Sequence, residues 1–563
     1  MVPLSLSVGF LFLLLLVQQQ RWSAYGLEQY RYRDLLLTLS SSTLPSSHST
    51  SSEDVQELYV TQKLDHFDGT NDATFQQRYF VSYRHHTRKT GPVLNFLCVG
   101  GEGPGFDASV LVDSVHCSGD MLELAKRIAS HNQYNVHLYA LEHRYYGKSY
   151  PTFPNGESPL TIHNLKYLSS QQALEDLAHF VRSVNEETES STTRSSLWVT
   201  FGGSYPGMMA LYARYKYPHL VFAAVSSSAP INARVDFPGY KARQSWDLKY
   251  PKVGGSFECH RIVKVGHDQA VSLLQTSNNS TDGSVELASK FNVCDPSTSL
   301  QEKRNQELLL GDGLINIPAQ GNDPACVGDI CNIRGLCKFL IDEFANTQAE
   351  DDPPTYVELE VLAKVGQKQQ AKQQQDQLLQ NRNSKSNKNM RDENCLPVDF
   401  QAMLDELSKT EIDRSGWRSW LYQTCSEFGF YQTCKDDCPF ALHYHQVDLD
   451  LEICRKVFNI TNVYDNVKAT LDRYGGVDIS DGSRILSING NVDPWSVLGL
   501  KETDIAKYSL PVKVVDGASH HFWTHAVKDT DSPEIVKVRE YTYSVVMDWL
   551  EIGGTGRTAE HIS

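Results

Sequence analysis

Nearly continuous apolar runs occur near both ends of the chain and alternate with segments of helical spacing. Four runs come early and two late, at 93–99, 136–141, 197–201, 222–225, 483–488 and 512–515. Strands buried on both faces of a parallel sheet lose the apolar–polar alternation and show this pattern. Residues 169–184 have apolar side chains at helical spacing, which predicts a helix with Glu175 and Asp176 on its outer face. A further helix is predicted after the last strand, at 535–550, and the whole pattern predicts an α/β fold.

The block at 236–454 interrupts this pattern. It carries ten of the twelve cysteines and several amphipathic helix candidates, and it shows little strand pattern. We therefore predict one α/β domain in two parts, 58–235 and 455–551, separated by a helical, disulfide-rich insertion at 236–454. Within the insertion, residues 364–389 are dominated by Gln, Lys and Asn, a composition that fits either a flexible surface loop or an extended exposed helix.

Disulfides are the expected state of most cysteines. Pairs such as Cys331 with Cys337, or Cys434 with Cys438, lack the C-x-x-C or His spacing of zinc sites, which favours disulfides over metal ligation. Cys98 lies inside an apolar run, so we predict a buried free thiol there. The sequence contains no H-E-x-x-H motif. Neither a metal nor a cofactor is expected.

The start of the chain is typical of a secretory signal peptide. The apolar run at 4–17 is too short to span a bilayer, and cleavage near Ala24 gives a signal peptide at 1–24; an uncleaved anchor helix is the alternative. The Ser/Thr-rich segment that follows makes 25–57 a predicted linker or propeptide, and 552–563 a predicted flexible tail. After signal cleavage no stable membrane span is expected.

Glycosylation sequons at Asn278, Asn279 and Asn459 also favour export. Together with the signal peptide and the cysteines, they predict a glycoprotein of the secretory pathway, with a lysosomal, vacuolar or extracellular destination.

Composition limits the partners only broadly. Of the 563 residues, 40% are hydrophobic, which is enough for a large core. Asp and Glu number 68 against 52 Lys and Arg, so the formal net charge is −16. Nucleic-acid binding rewards clustered positive charge, and no nucleic-acid partner is expected. The sequence leaves open whether the chain forms a homodimer.

The strongest local motif lies at the end of the third apolar run. Residues 197–207 indicate a strand, a sharp turn and a helix, with Ser204 at the turn, which is the arrangement of a nucleophile elbow. Such an elbow needs small residues two positions before and two after the serine. Gly202 satisfies the first position, and Pro206 departs from the second, although proline is tolerated in a first helical turn. An ordinary strand-to-helix turn is the alternative.

Two later loops supply the partners that a serine nucleophile needs. One late strand runs into Asp493, and the other runs into His520 and His521. The ends of parallel strands share one edge of a sheet, so the three segments are predicted to meet there in the order Ser, Asp, His. Ser204 is then the nucleophile, His520 the general base and Asp493 its orienting acid. Taken singly, the aspartate is also compatible with a turn, and one histidine with a packed polar residue.

Backbone donors for a tetrahedral oxyanion complete the predicted site. One is the N–H of Tyr205, directly after the nucleophile, and the other is assigned to Gly101 in the glycine-rich loop at 100–104. As a phosphate cradle this loop is unconvincing, because it has no Lys and no Ser or Thr at the required positions.

Several separated stretches, taken together, resemble one family. They are the stretches at 64–67, 77–80, 142–147 (Glu-His-Arg-Tyr-Tyr-Gly), 167–173, the elbow itself and 422–434. They are similar to the serine peptidases that include lysosomal Pro-X carboxypeptidase, dipeptidyl peptidase II and thymus-specific serine protease, and 422–434 looks especially like the thymus-specific branch. The resemblance extends from about 64 to 550. It implies an α/β-hydrolase fold with a helical, disulfide-linked cap over the active site.

The resemblance also implies roles for individual residues. The family's serine and aspartate fall on Ser204 and Asp493, and its histidine falls on His520, the first of the late pair. Phe522 and Trp523 depart from the two best-known branches, as does the proline of the elbow. These departures bear on substrate preference more than on catalysis.

Family members mostly cleave after proline and act as exopeptidases on short peptides. The resemblance therefore implies peptide substrates, an apolar pocket for the proline ring and a charged anchor for one peptide terminus. Glu102 is the candidate anchor for a substrate ammonium, and Trp495 is a candidate wall of the proline pocket. The alternatives are a loop carboxylate that caps local backbone and an aromatic residue that merely packs.

The function predicted on these grounds is a serine-type exopeptidase with an acyl-enzyme mechanism, of either the dipeptidyl peptidase or the Pro-X carboxypeptidase type. An esterase or lipase is the first rival, because it uses the same triad on the same fold. A non-catalytic hydrolase-fold binding protein is the second. Such proteins normally have lost part of the triad, whereas this sequence retains all three groups.

Overall fold

The three-dimensional structure is a computed structural model that describes residues 54–87, 91–189, 196–276, 282–326, 328–382, 395–413, 415–503 and 510–552. The predicted signal peptide, most of the predicted linker, the sequons at Asn278 and Asn279 and nearly all of the predicted tail lie outside these ranges. Within the described ranges, every helix is too short or too polar to cross a bilayer.

All six apolar runs are strands of one eight-stranded sheet. The strands within the described ranges are β1 (Val55–Lys63), β2 (Thr74–His85), β3 (Val93–Val99), β4 (Asn135–Leu141), β5 (Ser196–Gly203), β6 (Ala223–Ser227), β7 (Arg234–Asp236), β8 (Gly429–Tyr431), β9 (Ile485–Gly490) and β10 (Val512–Val515). The large sheet has the order β1-β2-β4-β3-β5-β6-β9-β10, and β7 pairs with β8 separately. Strand β2 is antiparallel to both neighbours, and the remaining pairs of the large sheet are parallel.

Helices flank this sheet and make up most of the insertion. In chain order they are α1 (Glu123–Ser130), α2 (Ile162–Leu165), α3 (Ser170–Glu189), α4 (Tyr205–Lys216), α5 (Gly239–Asp247), α6 (Phe257–Thr276), α7 (Asp282–Lys290), α8 (Lys303–Gly311), α9 (Ile333–Gln348), α10 (Val357–Arg382), α11 (Phe400–Leu407), α12 (Trp417–Gln423), α13 (Val447–Phe458), α14 (Val463–Tyr474) and α15 (Pro533–Trp549). The helices predicted at 169–184 and 535–550 are α3 and α15. The predicted fold class, an α/β-hydrolase fold with a helical and disulfide-rich insertion, is confirmed.

Strand side chains alternate between two cores, one on each face of the sheet. In β3, Leu94, Phe96 and Cys98 belong to the core under α1 and α15. Leu97 and Val99 belong to the core under α3 and α4, which continues into the interior of the insertion. Each fully buried Leu or Phe contributes about 1.5–3 kcal/mol. Because both faces are buried, both sets of positions must be apolar, and the run loses its alternation.

The predicted exposure of Asp176 is wrong. Its side chain is fully buried, and its two oxygens accept hydrogen bonds of 2.6 and 2.7 Å from Arg144. The Nε2 atom of His66 lies 2.7 Å from the same carboxylate. A buried carboxylate is tolerated when it is paired and hydrogen-bonded, and its partners here come from distant segments. Helical periodicity alone therefore placed this residue on the wrong face.

All twelve cysteines form six disulfides. They join Cys98–Cys117, Cys259–Cys337, Cys294–Cys395, Cys326–Cys331, Cys425–Cys454 and Cys434–Cys438. The prediction of a free thiol at Cys98 is wrong, because the loop after β3 returns Cys117 to the end of that strand. The preference for disulfides over metal ligation is confirmed.

Two predicted boundaries need adjustment, and one open alternative is resolved. Strand β1 begins at Val55, so residues 55–57 belong to the sheet and not to the linker. The boundary after residue 454 falls inside α13, so the insertion does not end there. The described part of the Gln-rich segment, 364–382, lies within helix α10, so this part is helical and is not a loop.

Candidate active site

Ser204 is the single residue between strand β5 and helix α4. Its φ and ψ angles are +63° and −132°, a combination that residues other than glycine rarely adopt. Its N–H donates to the carbonyl oxygen of Ser227 at 2.9 Å. Gly202 makes the sharp turn feasible, because a Cβ atom there would lie 2.3 Å from the carbonyl oxygen of Pro206. The turn therefore requires a small residue before the serine and accepts proline after it.

Asp493 and His520 meet at the end of strands β9 and β10. The Nδ1 atom of His520 lies 2.8 Å from Oδ2 of Asp493, and both side chains are buried. A carboxylate accepts hydrogen bonds, so Nδ1 carries the proton and Nε2 keeps its lone pair. Nε2 is itself buried and has no hydrogen-bond partner among the described residues. This tautomer is the one that a general base needs.

The histidine loop lies against the serine turn. A Cβ atom on Gly203, the residue before Ser204, would lie 2.8 Å from Cγ of His521. The N–H of His521 donates to Oγ of Ser228 at 2.9 Å. Burial lowers the pKa of this second histidine well below its usual value, so the ring stays neutral. His521 thus packs between the two loops, whereas His520 contacts the aspartate.

The glycine-rich loop after β3 approaches the same turn. A Cβ atom on Gly101 would lie 2.4 Å from Cγ of Pro206, so this backbone lies directly against the first turn of α4. Tyr205 is the first residue of that helix, where N–H groups have no intrahelical acceptor. The two predicted oxyanion donors are therefore on adjacent backbone segments at the serine.

Glu102 follows Gly101 and lies within electrostatic reach of the site. Burial raises the pKa of its carboxyl group to about 7, and the nearby His520 and Ser204 side chains act in the opposite direction. Although the residue as a whole is partly exposed, its Oε2 atom is buried and has no hydrogen-bond partner within the described part of the chain. The hydrogen-bonding capacity of this oxygen is therefore unfilled within the described residues.

Trp495 stands beside the imidazole in an aromatic cluster. Its ring centroid lies 6.4 Å from that of His520 and 5.4 Å from that of Phe430, which belongs to the insertion. Phe237 and Tyr240 pack on it at 5.8 and 5.3 Å. The indole is only partly buried, so one part packs and another part can contact a ligand.

Side chains that commonly bind metals are not grouped here in a suitable way. Over the ranges that the structure covers, no three His, Cys, Asp or Glu residues are placed to hold a metal ion. Three histidines lie near one another: the ring of His521 has its centroid 4.6 Å from that of His520 and 6.0 Å from that of His525. Burial lowers the pKa of His525 to about 3, so this ring is also neutral.

The sequence prediction missed two residues of the insertion that reach the site. Gln320 accepts hydrogen bonds around Trp495 and His520, and Gln423 donates to the phenol of Tyr205. The first gave no sequence signal. The second lies in the stretch at 422–434, which was noted only for its family resemblance.

A sheet of this order, with a serine in a strained turn and an imidazole–carboxylate pair at the same edge, defines a hydrolase of the α/β class. The family model described as serine carboxypeptidase S28 matches residues 62–542. The chain therefore belongs to the serine carboxypeptidase S28 family and is a serine peptidase.

Several relatives extend along nearly the same length. Thymus-specific serine protease of Mus musculus is 33% identical over 505 residues, covering 88% of this chain and 87% of that protein. The Homo sapiens protein of the same name is 30% identical over 510 residues, covering 88% and 86%. Lysosomal Pro-X carboxypeptidase of Mus musculus is 26% identical over 524 residues, covering 88% and 89%. The resemblance inferred from the motifs is confirmed.

Proposed function

We propose that this serine peptidase is an exopeptidase that releases dipeptides from the N-terminus of short peptides, cutting after proline. The observation that carries the serine mechanism is the 2.8 Å contact between His520 and Asp493 at the edge of the sheet where Ser204 sits in its strained turn. The carboxyl group of Glu102 beside these residues favours recognition of a substrate N-terminus. Insertion residues that reach the site, Gln423 at Tyr205 and Phe430 at Trp495, support a restricted cleft, as does membership of the serine carboxypeptidase S28 family.

Ser204 is the proposed nucleophile. Its hydroxyl proton passes to Nε2 of His520 as the oxygen attacks the scissile carbonyl, and Asp493 stabilises the imidazolium that forms. The N–H groups of Tyr205 and Gly101 stabilise the tetrahedral oxyanion. The imidazolium then protonates the departing amine, which leaves an acyl-enzyme. Water, deprotonated by the same histidine, releases the peptide acid.

Glu102 is the proposed anchor for the substrate ammonium. Support comes from its unpartnered buried oxygen next to the reacting groups. An approaching ammonium favours the ionised carboxylate and so lowers its raised pKa. Trp495 is the proposed wall of the proline pocket, because its partly exposed ring stands beside the imidazole. A carboxypeptidase would instead need a cation for the substrate carboxylate.

The six disulfides support an oxidising compartment, and two relatives carry the word lysosomal in their names. We therefore propose a lysosomal or extracellular location, reached through the predicted signal peptide at 1–24.

A peptide library tests the proposed reaction. The purified protein and its Ser204→Ala variant are incubated with short peptides that carry proline at the second or the penultimate position, and fragments are identified by mass spectrometry. Release of N-terminal Xaa-Pro dipeptides by the wild type alone is expected. Release of single C-terminal residues would reassign the enzyme as a carboxypeptidase. Full turnover by Ser204→Ala would reject the serine mechanism.

A further inference from the structure

The insertion contacts the catalytic loops through two glutamines, Gln423, which is buried, and Gln320, which is partly buried. Gln423, the last residue of α12, is completely buried and lies next to the phenol of Tyr205. Tyr205 directly follows Ser204, and its backbone N–H is a proposed oxyanion donor. Contacts that hold the Tyr205 side chain therefore also help to position its backbone N–H.

The directions of the hydrogen bonds around Tyr205 can be worked out. Nδ1 of His143 lies 2.7 Å from the carbonyl oxygen of Arg144, which only accepts, so Nδ1 carries the proton. Nε2 of His143 must then accept from the Tyr205 hydroxyl, 2.9 Å away. With its proton committed, that hydroxyl accepts from Nε2 of Gln423 at 3.0 Å. Burial lowers the pKa of His143 to about 4, so this pattern persists to acidic pH.

The other end of the Gln423 amide is also occupied. Its Oε1 atom accepts a 2.6 Å hydrogen bond from the hydroxyl of Tyr146. The amide orientation is thus fixed from both ends, and no rotation of the side chain preserves both bonds. Aromatic rings of the insertion complete the enclosure of Tyr205: Trp420 lies at 5.6 Å and Phe428 at 5.4 Å between centroids.

A second glutamine of the insertion reaches the histidine side of the site. The backbone carbonyl of Gln320 accepts the N–H of His520 at 3.1 Å. Its side-chain Oε1 accepts from Nε1 of Trp495 at 3.0 Å and from the hydroxyl of Tyr240 at 2.8 Å. The backbone N–H of Trp495 in turn donates to Oδ1 of Asp493 at 2.9 Å. One residue therefore ties the aspartate loop to the histidine loop.

We propose that Gln423 and Gln320 are positioning residues, through which the insertion holds the oxyanion donor and the imidazole in register with Ser204. This inference rests on the proposed function. Preorganised donors stabilise a transition state only when they are held within a fraction of an ångström, so loosening either contact lowers the rate more than it lowers substrate binding.

Steady-state kinetics of Gln423→Met and Gln320→Met test the inference. Methionine keeps the length and volume of glutamine and removes its side-chain polar atoms. Gln320→Met therefore releases Trp495 and Tyr240, which reach Asp493 through the Trp495 N–H, and keeps the backbone bond to His520. We expect kcat to fall about tenfold in both variants. KM should change by less than about twofold in Gln423→Met, whereas Gln320→Met also releases Trp495, the proposed wall of the proline pocket, and is compared by kcat alone.

The matched control is Gln269→Met, which lies in helix α6 of the same insertion. The side chain of Gln269 donates to Glu358 at 2.6 Å and accepts from the N–H of Leu359 at 2.9 Å. The control variant therefore also loses two hydrogen bonds, but away from the site. Its kcat should equal that of the wild type despite a similar loss of thermal stability.

Tyr205→Phe addresses the case in which Gln423→Met folds poorly, and a double-mutant cycle adds a second test when both single variants fold. Tyr205→Phe removes one oxygen and leaves the ring and the backbone N–H in place. If Gln423 acts through the phenol, the double variant loses no more kcat than either single variant. Additive losses would overturn the assignment of Gln423, as would a wild-type kcat in Tyr205→Phe.

Covalent capture of Ser204 by a fluorophosphonate gives a readout that is independent of peptide cleavage. The phosphonyl oxygen occupies the oxyanion position, so both glutamine variants should be labelled about tenfold more slowly than the wild type and Gln269→Met. If the wild type is labelled but cleaves no peptide, the proposed function is refuted. The positioning roles are then still tested by the labelling rates of the variants. Equal labelling rates in all variants would refute the positioning roles.

Discussion

The hydrogen bonds of Asp493 make a specific prediction for Asp493→Asn. Oδ1 of Asp493 accepts the N–H of Trp495 at 2.9 Å, and Oδ2 faces Nδ1 of His520 at 2.8 Å. An asparagine must keep its oxygen toward the Trp495 N–H, because an amide nitrogen there would oppose another donor. Its NH₂ group then faces Nδ1 and forces the imidazole proton onto Nε2. The histidine can no longer accept the proton of Ser204.

The expected loss in kcat has two causes: the histidine loses the correct tautomer, and the imidazolium loses the negative charge that stabilises it. Aspartate-to-asparagine changes in such triads cost about 10⁴-fold in kcat, which corresponds to about 5 kcal/mol of transition-state free energy. The change is isosteric and the aspartate is fully buried among polar partners, so little of the effect should appear as lost packing.

The assay compares kcat/KM for an Xaa-Pro amide in the wild type, in Asp493→Asn and in Asp516→Asn. Asp516 lies on the same loop as His520, directly after β10, and is about half exposed. It bonds Asn491 and Lys252 and does not contact the imidazole pair. We expect the control to stay within about twofold of the wild type. Retention of more than a tenth of wild-type activity by folded Asp493→Asn would refute the proposed role of the aspartate.

Three further predictions concern charge and stability. The pKa of Glu102 is raised to about 7 by burial, so KM for a free dipeptide amide should fall as pH rises toward 7. Glu102→Gln should raise KM and flatten this profile, with the N-acetylated substrate as a control that does not respond. Burial also raises the pKa of Asp120 to about 7 from 3.8, so the folded state holds a proton that the unfolded state releases over this interval, and stability falls as pH rises. The free energy of unfolding of Asp120→Asn, measured with denaturant, should therefore rise relative to that of the wild type by up to about 4 kcal/mol as the pH increases from 4 to 7.5. Cys98→Ala with Cys117→Ala opens a loop with a sequence separation of 19 and should cost about 3 kcal/mol; an unchanged midpoint under oxidising conditions would contradict this.

Local sequence determined the scaffold of the site. A strand buried on both faces must be apolar at every position, so β3 and β10 could be predicted with their observed bounds. Gly202 and Ser204 marked the tight turn because few residues fit a strained strand-to-helix junction. The fixed direction of parallel strands then indicated that Asp493 and His520 lie at the same edge.

Tertiary structure decided what distant segments contribute. Asp176 is polar and falls within a helical pattern, yet it is buried, because only the folded chain brings Arg144 to it. Cys98 looked like a core residue, because its partner approaches through a loop that has no pattern of its own. Gln320 and Gln423 carried no usable signal, since a glutamine is equally suited to a surface and to a buried amide contact. A periodic pattern reflects the average environment of a segment, whereas the roles of these four residues are set by specific contacts with residues far away in the sequence.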